Sequence, residues 1–301
     1  MTIEQICRKY RIENYTINGD GTIDVNGDVD LHYKDLTELP LRFNRVDGYF
    51  DCGANELTTL KGCPKWVGGS FNCDDNELTI LDSTPEHIGE NFDCESNKLT
   101  KIEINITYIG GSFRCDRNKI THINGLPNHI IGNFNCSNNK LTTLKGIPEK
   151  IDGFFKCDYN KKLTTLKDGP KWIGSDFNCC YCGLTDLIGS PEYVGVDFRC
   201  NGNKLTSLEG CPEKVREFWC VDNLLKKLEH YPEKMSSLFY CFGNPIGTIF
   251  SDVDMHFLYS FRFYKIIYND TIKLKRLKYV MDLYDQPINL DKIKQYYTIN
   301  D

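Results

Sequence analysis

Cys179-Cys180-Tyr181-Cys182 is the densest group of nucleophilic and metal-ligating side chains in this 301-residue chain. Thiolates at such spacing can ligate zinc, and an exposed one can act as a nucleophile. Zinc needs four converging donors, and here neither a second cysteine pair nor a nearby histidine completes a set. The histidines, at 32, 87, 122, 129, 230 and 256, are scattered. His87 and His129 fall at the same position of a repeat, two units apart, so about 10 Å or more separates them and they share no metal ion. No Ser/His/Asp or Cys/His constellation is legible. Asn18-Gly19-Asp20-Gly21 copies part of a calcium loop, but Thr16 stands at the first ligand position and Gly27 where the bidentate glutamate belongs, so a turn is expected instead. The sequence therefore predicts no catalytic residue, no metal and no cofactor.

The elements that would position any site are set by a recurring stretch, seen in FDCESNKLTKI from Phe92 to Ile102. Its aromatic anchor returns at Phe50, Phe71, Phe92, Phe113, Phe134, Phe155, Phe177, Phe198, Phe218 and Phe239, with spacing of almost always 21 residues. A unit this short cannot bury its own apolar side, so neighbours must stack into one solenoid with a continuous core. Phe and the following Cys, two residues apart, share the inward face of a strand, and the residue between them looks out. The Asn three residues after Cys sits where the chain turns, and its amide can satisfy backbone groups of adjacent turns. Two leucines three apart, such as Leu141 and Leu144, return to the core. A Gly-x-Pro followed by Val or Ile and a Gly pair, as in 62–69, makes a non-helical return. In this register Cys179 points inward, Cys180 lies on the exposed strand face as the best candidate for a reactive thiol, and Cys182 takes the Asn position. The ten cysteines at the strand position behave as small buried hydrophobes kept reduced. Disulfides between neighbouring rungs are the alternative, since strands about 4.8 Å apart are within bridging range.

At these residues the chain resembles the leucine-rich repeat, Leu-x-Leu-x-x-Asn-x-Leu-x-x-Leu, with Phe and Cys in the first two leucine places. The short unit with proline in its return is similar to the short repeats of secreted bacterial effectors and of arrays encoded by phages and large DNA viruses. The resemblance covers roughly residues 29–250. It implies a right-handed solenoid with parallel strands on a concave face and irregular return segments. It also implies a binding scaffold rather than an enzyme, encoded by a virus or phage and acting on host proteins.

Residues 1–28 form the expected N-terminal cap, a short helix with Thr2 and Gln5 as a capping box and a hairpin over Tyr15 to Val25. Residues 29–250 hold one degenerate unit and ten regular ones, with Ile106 replacing the proline of unit three and an extra residue near Lys161 and Lys162. Residues 251–301 read as a helical C-terminal cap, with helices from near Asp252 to Tyr268, after Asp270, and over Asn289 to Tyr297. The net charge of -6 and pI near 5.6 argue against phosphate binding. The start shows no apolar leader and no run reaches membrane-spanning length, so a cytoplasmic or virion location with no membrane partner is expected. The sequons at Asn14, Asn105 and Asn269 are then chance occurrences.

The outward row, from Asp51 and Asp93 through Arg114 and Lys156 to Arg199, Trp219 and Tyr240, is acidic first, mixed in the middle and aromatic at the end. Aromatics flanked by arginine anchor protein interfaces, so Arg114, Arg117, Lys156, Tyr159, Tyr181, Arg199, Trp219 and Tyr240 are the expected partner contacts. Two alternatives remain: a structural component that self-associates through its caps, and a carbohydrate- or nucleic-acid-binding module, the latter opposed by the acidic third. A second stripe on the return, including Trp66, His87, Tyr108, Trp172 and Tyr193, is expected to pack on itself, with a second contact edge as the other reading.

Overall fold

Each Phe-x pair forms a two-residue strand, because the backbone must leave the extended conformation directly after the following cysteine to turn. In the computed structural model, which describes residues 1–248, 266–268, 271–283 and 289–300, these strands pair in parallel with phenylalanine beside phenylalanine. From Val29–Asp30 to Phe239–Tyr240 they make an eleven-stranded sheet in strict chain order among the described residues. Successive Phe rings from Phe50 to Phe239 lie 5.1–5.9 Å apart, centroid to centroid. The core is thus a continuous aromatic spine flanked by the buried leucines and cysteines. Val29, Leu31, Leu36 and Leu39 are buried as the degenerate first rung requires.

The asparagines tie rung to rung. Asn76, for example, accepts the Leu57 N–H through Oδ1 at 2.9 Å. Its Nδ2 donates to the carbonyls of Cys52, Cys73 and Asp74 at 3.0, 3.3 and 2.9 Å. The same pattern recurs at Asn97, Asn118 and Asn139. Cys182, in the asparagine place, substitutes its thiol, donating to Cys157 O at 3.3 Å. The turn before each asparagine is made by a residue in the left-handed region: Ala54, Asp75, Ser96, Arg117, Asn138, Tyr159, Tyr181 and Asp222 have φ between 44° and 58°. For L-residues other than Gly this costs roughly 1–2 kcal/mol each, a cost the sequence pattern did not announce.

The fifteen cysteines are all free. The strand cysteines are buried, and several donate S–H to the next rung's carbonyl, as Cys52 does to Asn72 O at 3.3 Å. Burial pushes their thiols well above the ordinary range, which leaves them protonated and unreactive. The structure holds no rung-to-rung disulfide.

The return is more regular than expected. Its aromatic-aliphatic pairs are also strands: Phe43–Val46, Trp66–Val67, His87–Ile88 and Tyr108–Ile109 pair in parallel, and His129–Ile130 through Tyr193–Val194 form a second run. Two such residues carry no periodic signal, so stacking of neighbours, not local propensity, makes them strands. Stacked returns approach closely; a Cβ on Gly89 would lie 1.9 Å from Gly68 O, so only glycine fits there. The run breaks between Tyr108–Ile109 and His129–Ile130, next to Ile106, and Ile102–Glu103 pairs instead with Ile123–Asn124. The extra residue near Lys161 is absorbed by a turn in which the Leu163 N–H bonds Asn160 O at 2.8 Å, without interrupting either sheet.

At the N-terminus the helix Ile3–Tyr10 carries the Thr2/Gln5 capping box and buries Cys7. The hairpin Tyr15–Ile17 and Ile23–Val25 joins the return sheet by pairing with Phe43–Val46. Asp20 caps this turn by accepting from Thr22 N and Oγ1 at 3.0 and 2.7 Å. The C-terminal segment differs from an all-helical cap. Ile267–Tyr268, expected to end a helix, is a strand antiparallel to Thr271–Lys273, which also pairs with Thr298–Asn300. Helices run over Leu274–Leu283 and Leu290–Ile293, the latter capped by Asn289. Most of the helix expected from Asp252 lies outside the described residues. Tyr297 attaches the segment to the array, its hydroxyl accepting the Leu228 N–H at 2.5 Å.

Ala54, half-buried and at φ 49°, tests the left-handed turn. Ala54→Gly should raise stability in urea by about 1 kcal/mol, and Ala54→Val, a branched residue in a left-handed turn, should lower it. Equal stabilities for the two variants would contradict the turn geometry.

Candidate interaction face

The outward face of the eleven-stranded sheet presents three side chains per rung: the residue between Phe and Cys, the one after Cys, and the left-handed residue. The first is largely committed to its own turn. Asp51, Asn72, Asp93, Asn135 and Asn178 each accept, through Oδ1, the N–H two residues on at 2.8–3.1 Å. Such an Asx turn steers the chain toward the left-handed residue that follows, so the Asp/Asn richness of this row is structural.

The second position is more recessed than the sequence implied. Cys180, expected on the exposed strand face, is 6% exposed, and its Sγ accepts the Asn201 N–H at 3.2 Å. Burial raises its thiol to about 12, so it is not an available nucleophile. Asp116 and Asp158 at the same position are 5% and 9% exposed.

The eight residues expected to meet a partner divide into two groups. Arg114 is held from three sides, by Asp93 Oδ2 at 3.2 Å, by Glu95, and by Asp116 Oδ1 at 3.7 Å. Arg199 Nη2 bonds the buried Asp197 at 2.9 Å, which Arg216 grips with two further bonds. These guanidinium groups are used within the chain. Arg117 is exposed and its side chain makes no ion pair among the described residues. Lys156 Nζ lies 4.6 Å from the Phe154 ring centre. Tyr159 and Tyr181 stack at 4.9 Å and remain 44% and 43% exposed. Trp219 and Tyr240 stack at 3.7 Å, with Trp219 Nε1 donating to Glu217 at 3.1 Å and Arg199 near its ring at 5.8 Å. Phe242 and Leu224 are exposed at the same end.

On the return edge, Trp66, His87 and Tyr108 stack in line under Arg45, and Trp172 stacks on Tyr193 beside Lys150. Their ring faces are spent on one another, which supports the self-packing reading of this stripe. One constellation went unseen in the sequence because its members come from adjacent rungs: Thr121 Oγ1 lies 3.2 Å from His122 Nδ1, and His122 Nε2 lies 3.4 Å from Glu103. The Thr121 hydroxyl also reaches Thr100 O at 3.1 Å, where its proton is donated, so the imidazole accepts none from it. Among the described residues no group of three or more His, Cys, Asp or Glu could hold a metal ion, and no helix is long and apolar enough to cross a membrane.

The acidic end has a pH signature. Burial lifts Asp93 to about 7, with Asp74, Asp116 and Asp75 pushing the same way and Arg114 opposing. Desolvation also raises Asp74, Asp116 and Asp158. A carboxyl raised in the folded state binds more protons folded than unfolded between the two values, so its contribution is full at low pH and is lost as pH rises through the folded value. The urea midpoint should therefore fall between pH 5 and pH 8, and Asp93→Asn should flatten part of that fall. A midpoint rising over this range would contradict the buried carboxyl column.

No family model matches the chain, and no curated protein matches it. Among solved structures it is similar to YopM from Yersinia enterocolitica WA-314, at 17% identity and TM-score 0.36 over 71% of this chain and 56% of that one. It is also similar to YopM, a leucine-rich effector protein from Yersinia pestis, at 19% and 0.42 over 73% and 57%. A functional domain of InlJ from Listeria monocytogenes, described as including a cysteine ladder, aligns at 18% and 0.31 over 67% and 64%. The chain thus spans under two thirds of each of these structures. What fixes its architecture is internal: the 21-residue register, the parallel Phe-on-Phe sheet and the asparagine ladder make this protein a leucine-rich-repeat solenoid.

Proposed function

We propose that the protein is a non-enzymatic scaffold that binds a protein partner across the outward face of its long sheet. The observation that carries this reading is the gathering of stacked aromatic pairs on that face, the exposed Tyr159 on Tyr181 and the half-buried Trp219 on Tyr240, with the exposed Phe242 at the same end. Stacked rings are rigid, so they bring large contact area with little side-chain entropy left to lose on binding. Arg117 and Lys156 are the cations placed to complement them, and Arg114 and Arg199 act by holding the surface in shape. A cytoplasmic setting, in a host cell or a virion for a virus- or phage-encoded chain, agrees with the reduced cysteines. Self-association through the caps, as an assembly component, is the second reading.

The test is capture from host-cell lysate with wild type beside Trp219→Ala/Tyr240→Ala. The expected outcome is a protein retained by wild type and lost by the double variant, with thermal unfolding moved by only a few degrees. Equal capture by both baits, together with concentration-dependent light scattering, would transfer the assignment to self-association.

A further inference from the structure

The sixth unit departs from the repeat, and the departure is matched on the next rung. Elsewhere an asparagine Oδ1 accepts the N–H of the leucine or isoleucine one rung back, as Asn160 accepts from Leu141 at 2.9 Å and Asn203 from Leu184 at 3.2 Å. Cys182 stands in the asparagine place of the seventh unit and takes no such bond. The Leu163 N–H turns to Asn160 O at 2.8 Å instead, within the turn that the extra residue of unit six makes. Two lysines, Lys161 and Lys162, stand exposed in that turn, where the other regular units have one residue between the asparagine place and the leucine. Breaks in an otherwise self-consistent pattern are expected where function sits. Directly before this turn, Tyr159 stacks on Tyr181 at 4.9 Å, both exposed. Gly202 is the seat of the pair, since a Cβ there would lie 2.4 Å from the Tyr181 ring. On the two preceding rungs Lys119 and Lys140 hold the place of Lys162. Their N–H groups bond Leu99 O and Ile120 O, so these residues lie one rung, about 4.8 Å, apart. Lys98, Lys101 and Lys150 find carboxylates in Glu77, Glu103 and Asp152. By contrast Lys119, Lys140, Lys161 and Lys162 are exposed and make no ion pair among the described residues. Asp116 and Asp158, the carboxylates of the same turns, are recessed at 5% and 9% exposure. Like charges on adjacent rungs are unfavourable until an anion lies along them.

We infer that this edge of the sheet face, Lys119, Lys140, Lys161 and Lys162 with Tyr159 and Tyr181, receives a short acidic segment of the protein partner, an inference that rests on the scaffold reading. The four ammonium groups take the segment's carboxylates, and its apolar side chains lie against the tyrosine pair. From the fourth unit to the seventh is about 14 Å, the reach of four or five extended residues. A long polyanion following the same edge would run onto Glu56 and Glu77, which hold the lysine place in the first two units. The tyrosine rings also stand too close together to admit a nucleobase between them. Like-charge opposition from the first units fixes the acidic segment toward the later rungs. The extra residue and Cys182 together double the cation on the rung where the tyrosines stand.

The probe is a dye-labelled nonapeptide of alternating glutamate and tyrosine, titrated with the full chain by fluorescence anisotropy at physiological salt. A lysine-tyrosine nonapeptide and a single-stranded oligothymidylate are titrated beside it. Wild type should bind the first at least tenfold more tightly than either of the others. Lys140→Gln/Lys161→Gln/Lys162→Gln should weaken that binding at least tenfold. Lys65→Gln/Lys214→Gln/Lys234→Gln, which removes the same charge from exposed positions of the return segments, should change it less than twofold. Deletion of Lys162 alone leaves the Leu163 N–H without its turn and should lower the urea midpoint. The same deletion with Cys182→Asn restores a regular unit and should recover the midpoint while binding stays several-fold weaker than wild type; the comparison of triple variants stands even where the shortened chain unfolds. No binding of the glutamate peptide by wild type, equal losses in both triple variants, oligothymidylate bound as tightly as the peptide, or a regularised chain that binds as wild type does would overturn the inference. Partner capture lost in Trp219→Ala/Tyr240→Ala but kept in the Lys140/Lys161/Lys162 variant would remove this inference alone; capture kept in Trp219→Ala/Tyr240→Ala would remove the scaffold reading beneath it.

Discussion

One interaction recurs at nearly every turn of this molecule: an asparagine amide that accepts an N–H from the preceding rung and donates to carbonyls of that rung and its own. A unit of 21 residues with two-residue strands leaves most of its backbone outside regular pairing. Buried backbone groups without partners are expensive, so the turn can be buried only where a side chain satisfies it. The asparagine does so in both directions, and it also holds the residue just before it in the left-handed region. Cys182 shows the minimum requirement, keeping the donation to Cys157 O with a thiol and losing the acceptor.

This constraint decides what the sheet face can be. With Phe and Cys inward, the turn fixed and the first outward position bound into an Asx turn, variation is left to few places per rung. Chemistry on the face is therefore written as columns rather than as a pocket: carboxylates over the early rungs and aromatic pairs over the late ones. The burial of Asp116 and Asp158 follows from the same geometry, because the position after Cys tucks beside the neighbouring rung. Neutral carboxyls there pack more favourably than charged ones, which is why the acidic column and the solenoid's stability are linked through pH.

The array was legible because Phe, Cys, Asn and Leu each perform one physical task at one spacing, and repetition averages out local ambiguity. The N-terminal cap was legible for a similar reason, since the Thr2/Gln5 box and the Asn18–Gly21 turn are local devices. The return strands were not, since a pair such as Trp66–Val67 becomes a strand only through its stacked neighbours. Cys180 was misplaced because the alternation of a longer strand was extended past a strand that ends two residues earlier, at Asn178. Arg114 and Arg199 looked available in the sequence because their carboxylate partners, Glu95 and Asp197, become neighbours only through stacking or through the side chain's reach back along its own strand. Ile267 and Tyr268 kept helical spacing yet pair across a tight turn with Thr271–Lys273, where tertiary pairing overrides periodicity.

The central claim, that asparagine amides hold the rungs together, is tested most directly by hydrogen exchange on Asn139→Ala. Asn139 accepts the Ile120 N–H at 2.9 Å and donates to Cys115, Cys136 and Ser137 carbonyls. Exchange at Ile120 and in the segment 115–141 should accelerate by at least about tenfold, equivalent to about 1.4 kcal/mol, while peptides from the first and last rungs keep their protection. Unchanged protection at Ile120 would show that strand stacking alone carries the solenoid and that the asparagine column is incidental.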